Sequence, residues 1–159
     1  MSLLSVAVAF AVRALLVMLF LPFSALDKIL NFKAAIGQAS EAIPSRALAM
    51  IAIFAGLGVE VVMSLAILTG VADRMAAFIL ALYCIVTALL WKPFWKQPDF
   101  RLRGASRGRD VFWDFLKNLA LAGGFLVLAF GASATGFDDF LAHPLASSHP
   151  YSQHVRGVR

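Results

Sequence analysis

Arg13 and Glu60 are ionisable side chains set well inside apolar runs. A charge near the centre of a bilayer costs at least ~2.5–3.5 kcal/mol on insertion scales, so such a residue faces the interior of a helix bundle and takes a partner. Arg13 lies about ten residues into the first run, and Glu60 about ten residues before Gly70, where the second run ends. At a helical rise of ~1.5 Å per residue both then sit roughly 15 Å below the same surface, and we expect them to pair. Glu60 also shares a helix face with Ala52, Gly56 and Ser64 at i, i+4 spacing, and small faces are where membrane helices approach closely. A pair so placed either fixes helix register or forms a ligand or proton site at the midplane.

A second polar group gathers at the other ends of the runs. The first run finishes with Ser24, Asp27, Lys28 and Asn31, and the last begins with Asp114, Lys117 and Asn118. Asp27 and Lys117 are candidate partners. Fourteen residues separate Arg13 from Asp27, which on a continuous helix leaves them within about 40° of one face. Arg13, Glu60, Asp27, Lys28, Lys117 and Asn118 are therefore expected to line one internal polar site. The competing reading is snorkelling to the headgroups, which suits Lys28 better than Lys117.

These residues do not make a catalytic constellation. No nucleophile–base–orienter set, phosphate loop or metal cage is present, so no catalytic residue is assigned and enzymatic activity stays open. Cys84 stands alone, which rules out an internal disulfide and a CxxC pair. In an apolar run it reads as a small filler. His143, His149 and His154 all lie near the C-terminus, so the apolar segments lack the ligands of a bis-histidine haem.

Four helices must position the polar residues. The sequence of 159 residues is 61% hydrophobic and 14% charged, too apolar for a soluble domain of one core. Four segments are long enough to cross a hydrocarbon core. They run from about Leu3 to Phe23, continuing to Asn31, from Ala47 to Leu68, from Met75 to Trp91 and from Val111 to Phe130. Their continuous apolarity is helical and not the alternation of a membrane barrel. The fold expected is an all-α, antiparallel four-transmembrane-helix bundle over residues 1–131, with 132–159 a flexible tail. Gly70 suits a helix end and Asp73 a following cap, Pro44 suits a first turn, and Pro93 and Pro98 stop the third span. The first span lacks a basic leader and a cleavage site and carries Arg13, so it is not read as a signal peptide.

Loops one and three carry nine basic residues: Lys28, Lys33, Arg46, Lys92, Lys96, Arg101, Arg103, Arg107 and Arg109. Arg74, Arg156 and Arg159 are the three on the other side. The positive-inside rule places those two loops in the cytoplasm and both termini in the periplasm. Basic residues beside a span set topology and touch anionic lipid, so membrane lipid is the expected partner and nucleic acid is not.

Several motifs in order carry a resemblance. They are Arg13 through Phe20 to Asp27-Lys28, then Gly58-Val59-Glu60, Leu68-Thr69-Gly70, Arg74-Met75-Ala76-Ala77, Phe94-Trp95, and FLKNLALAGG from Phe115 to Gly124. Together they resemble the DoxX family over about Arg13 to Leu128. The resemblance implies a bacterial inner-membrane protein, similar in some relatives to the small subunits of thiosulfate:quinone oxidoreductases. It implies matching positions at Arg13, Lys28, Glu60, Arg74, Lys117 and Asn118. Members often carry a histidine before the Phe-Trp pair; Lys92-Pro93 stands there in this chain, so histidine-dependent quinone chemistry is not implied. Three functions fit these readings. One is a membrane subunit of a quinone-linked redox system that binds quinone without a redox cofactor of its own. The others are an accessory subunit anchoring further protein subunits, and a carrier of a small molecule or protons.

Overall fold

A computed structural model describes residues 2–133 and 135–152. Four of its helical segments are long and apolar enough to cross a membrane: Leu3–Leu30, Arg46–Thr69, Asp73–Lys96 and Arg107–Phe130. No strand occurs among the described residues.

The first segment is not one continuous helix. α1 (Leu3–Val17) gives way to a π-helical turn at Leu19–Ser24, where Leu21 is extended at φ −119°, ψ 111°. Pro22 supplies the cause, since it lacks an N–H and its ring collides with the preceding turn. The chain then resumes as α2 (Ala25–Leu30) and, after Asn31, as α3 (Phe32–Ser40). The break rotates everything after Leu21, so the face shared by Arg13 and Asp27 on a continuous helix does not exist.

α4 (Arg46–Thr69) starts where the Ser45 hydroxyl accepts from Leu48 N–H, with Pro44 just outside the helix. It ends at Gly70, whose φ of +77° is a left-handed cap that favours glycine. Gly70 has a second constraint, because a Cβ there would lie 2.8 Å from the Pro150 ring. α5 (Asp73–Trp91) follows after Ala72. It is the central helix, packed against both α4 and α6 (Arg107–Phe130). Ala76, Ala77, Leu80, Ala81, Cys84 and Ala88 of α5 are all buried. Their small side chains let the neighbouring helices close in. Phe125 of α6 and Phe20 complete this core, their rings 5.8 Å apart. α1 meets α6 at Gly124, where a Cβ would come within 3.1 Å of Leu16. Outward faces stay apolar at Leu15, Phe54, Val62, Leu82, Val86 and Val127. A bundle in lipid needs such a surface.

The loop between α5 and α6 is built around Phe94. Its ring lies within 5.3 Å of the rings of Trp95, Phe100, Phe112 and Phe115. Asp99 accepts from the N–H groups of Arg107 and Gly108 and so caps α6 together with Ser106. The segment after Gly131, expected to lack regular structure, contains α7 (Gly136–Ala142) and then a strap that lies on the α4–α5 turn. Arg74 ties α7 down, donating to the Ala129 carbonyl at 2.9 Å and the Asp139 carboxylate at 2.7 Å. The hydrophobic patterning of the tail is too short to predict this, because seven helical residues packed through Phe140 leave almost no periodic signal.

Candidate functional site

Two polar clusters lie inside the bundle, and they divide the expected residues differently from the depth argument. The expected pairing of Arg13 with Glu60 is not formed. Arg13 donates from Nη2 to Asp73 Oδ2 at 2.8 Å, and Glu60 Oε1 accepts from Lys28 Nζ at 2.6 Å. The depth count fails because Arg13 meets Asp73, the first residue of α5, and so lies near the level of the α4–α5 turn. A count from Leu3 places Arg13 deeper than that contact does. Its long side chain meets the first residue of α5 instead of the middle of α4.

The cluster at the α4–α5 turn is closed by the strap. Asp73 is wholly buried and was expected only as a helix cap; Ala72 is the capping residue instead. Asp73 Oδ1 accepts from Ser148 N–H at 2.8 Å, and Oδ2 accepts from the Ser148 hydroxyl as well as from Arg13. Arg13 Nη2 also donates to Ser148 Oγ at 2.7 Å. Ser147 donates to the Gly70 carbonyl, and Tyr151 donates to that of Leu68. A buried ion pair is held only where its remaining donors and acceptors are satisfied, and the strap supplies most of them. These bonds are geometrically a lock between the C-terminal segment and the bundle.

The second cluster borders a cavity. Glu60 is 1% exposed on α4, facing inward with Gly56 and Ser64. Its Oε1 takes three donors: Lys28 Nζ, Tyr83 Oη at 2.8 Å and Ser24 Oγ at 3.1 Å. Lys28 also donates to Ser24 Oγ at 2.7 Å. The break at Leu21 makes this possible, since it turns Ser24 and Lys28 toward α4. Lys28 is thus drawn inward instead of snorkelling. Glu60 Oε2 is buried without a hydrogen-bond partner. The cavity beside these groups has a volume of about 390 Å³. Phe20, Ala35, Ala52, Gly56 and Trp91 are among its walls, and Asn118 is among its polar lining. Gly56 leaves room for the Tyr83 hydroxyl, which a Cβ there would approach to 3.1 Å.

Of the six residues expected at one polar site, Lys28, Glu60 and Asn118 line this cavity. Arg13 belongs to the strap cluster. Asp27 is exposed and accepts from Asn31 Nδ2 at 2.7 Å. Lys117 is also exposed, pairing at 3.3 Å with Asp114 and not with Asp27. Asp114 bonds Lys92 as well, at 3.0 Å, and Asn118 donates to its backbone carbonyl. Tyr83 was missed. A hydroxyl in the middle of the third apolar run was its signal, four residues before Thr87, which also lines the cavity. Ser148 gave no signal at all, because serine in a tail is ordinary.

The DoxX family model matches residues 8–93. No curated protein and no solved structure matches the chain. The matched stretch contains Arg13, Ser24, Lys28, Glu60, Asp73 and Tyr83, while Asn118, Lys117 and the strap lie beyond it. It covers more than half of the sequence, with all of the second apolar segment and most of the first and third. With four helices of membrane-spanning length and a family match of this extent, the chain is a multi-pass membrane protein belonging to the DoxX family.

Proposed function

We propose that this chain is the membrane subunit of a quinone-linked redox system, which holds a quinone-type headgroup in the Glu60 cavity while a partner subunit exchanges the electrons. The observation that carries the proposal is a mostly apolar cavity with the hydrogen-bonded cluster of Lys28, Glu60 and Tyr83 in its lining. Ligand pockets of this kind are typically ~300–1,000 Å³ with a few convergent polar groups, and the cavity falls within that range. The rings of Phe20 and Trp91 offer flat apolar walls to an aromatic headgroup, and Lys28, Glu60, Tyr83 and Asn118 offer polar contacts. The chain brings binding and orientation, and the ligand brings the redox chemistry.

The same proposal includes the setting. The membrane is the bacterial inner membrane, with the two basic loops in the cytoplasm and both termini in the periplasm. The excess of basic residues on loops one and three supports this orientation.

The test uses Trp91 as the reporter. Trp95 and Trp113 are changed to Phe, and the protein is placed in lipid nanodiscs. Decylubiquinone then quenches the remaining fluorescence saturably. Ala35→Leu, which fills the cavity from α3, abolishes the saturable component. Undiminished saturable binding in the filled variant overturns the cavity as the site.

A further inference from the structure

We infer that two copies of this chain pair in the membrane beside the seam of α1 and α6, with Asp27 of each copy facing Lys117 of the other. The inference does not depend on what the Glu60 cavity holds. Two charges are left over on the outside of the spanning segments. Asp27 is exposed on the first segment, and its partner there is the neutral amide of Asn31. It enters none of the ion pairs among the described residues. Lys117, its side chain 73% exposed on α6, shares the single carboxylate of Asp114 with Lys92. One carboxylate between two ammonium groups leaves a positive charge over. Charges turned toward lipid are costly, and a partner of opposite sign offsets that cost.

The contacts put both charges at one end of the bundle. α1 runs with α5, Arg13 meeting Asp73 and Phe20 meeting Tyr83. α6 runs against α5, Phe130 meeting Phe78 and Phe115 meeting Phe94. α1 and α6 are therefore antiparallel, and Phe20 touches Phe125 at their seam. Asp27 follows Phe20 by seven residues and Lys117 precedes Phe125 by eight, so both lie on the same side of that contact, toward the loop between α5 and α6. A two-fold axis along the membrane normal keeps both copies in one orientation and makes the contact isologous. A surface with an unpaired acid and a surplus base at one end is then complementary to itself, and two reciprocal ion pairs form. The surface also has the shape for it. Trp113, Lys117, Ala120, Gly123 and Val127 are exposed along one face of α6. Nothing lies within 4 Å of where a Cβ of Gly123 would stand. Small residues on such a face let a second helix approach closely.

The experiment is disulfide trapping in native membranes. Cys84→Ala removes the native thiol, and Asp27→Cys and Lys117→Cys are placed in separate copies. Membranes holding both variants are oxidised with copper phenanthroline. The expected product runs at twice the 17.2 kDa of the chain and is absent when either variant is present alone. The reciprocal Lys117–Asp27 pair is retained in that mixed dimer. No product from the mixture, or as much product from one variant alone, overturns the inference. A second measurement needs no introduced thiol. Energy transfer between copies of the full chain carrying donor and acceptor fluorescent proteins is expected in membranes, and Asp27→Lys, which sets ammonium against ammonium, abolishes it. Transfer that is absent from the unaltered chain, or undiminished in Asp27→Lys, overturns the inference and leaves Lys117 to the lipid headgroups.

Discussion

At the scale of single residues, the bundle keeps its buried charges in two separate pairs, Arg13–Asp73 and Lys28–Glu60. Removing one member of a buried pair typically costs ~3–5 kcal/mol, while replacing both with apolar residues can be nearly neutral. Residues in one network are energetically coupled, and residues in different networks are additive within about 0.5 kcal/mol. Thermal unfolding in mild detergent therefore gives a clean expectation. Arg13→Leu and Asp73→Leu each lower stability, and the double change recovers much of the loss. Arg13→Leu and Glu60→Leu instead add. Strong coupling between Arg13 and Glu60 would restore the single midplane site that matched depths suggest. The presence of Arg13 and Glu60 in buried positions was legible from the cost of intramembrane charge. Their partners were not, because a rise of 1.5 Å per residue gives depth only when both helices start at the same level.

At the scale of elements, the break at Leu21 and Pro22 and the strap after α7 decide which polar groups meet. The break was concealed by composition: a proline inside a long apolar run leaves hydropathy high, and only its missing N–H marks the place. The strap was concealed by sequence context, since its contacts are made by Ser147, Ser148 and Tyr151 one at a time. Its removal has a definite consequence. A chain ending at Gly131 leaves Asp73 without the Ser148 N–H and hydroxyl, and frees Arg74 from Asp139. Each lost hydrogen bond to a charged group is worth about 1.5–3 kcal/mol, so the truncated protein unfolds at a visibly lower temperature. Ser148→Ala alone gives a smaller fall in the same direction. Because the strap cluster is distinct from the Glu60 cavity, saturable quenching of Trp91 persists in Ser148→Ala. Loss of quinone binding in that variant would mean that the two clusters act as one unit.

At the scale of the whole molecule, four apolar segments, their approximate bounds and the family resemblance were all readable from the chain. Hydropathy reports lipid exposure directly, and the lipid-facing surface is most of a small bundle. The proposed orientation is read from charge as well. A reporter active only in the periplasm, fused after Arg159, is expected to be active. One active only in the cytoplasm is expected to be silent at that position, and the opposite pattern would invert the assignment of loops one and three. The internal cavity was not readable. It arises from five separate stretches, residues 19–28, 35–39, 52–60 and 83–92 together with Asn118, brought together by the break and the return of α3.

Photo-crosslinking tests the central claim, that the Glu60 cavity is a quinone site, most directly. The protein in nanodiscs is irradiated with an azidoquinone, digested, and the adducts are mapped by mass spectrometry. The account predicts adducts at the cavity wall, on peptides carrying Phe20, Ala35 or Trp91, suppressed by excess decylubiquinol and absent from Ala35→Leu. Adducts spread instead over the lipid-facing positions Leu15, Val62 and Val86, and unaffected by the competitor, would contradict it.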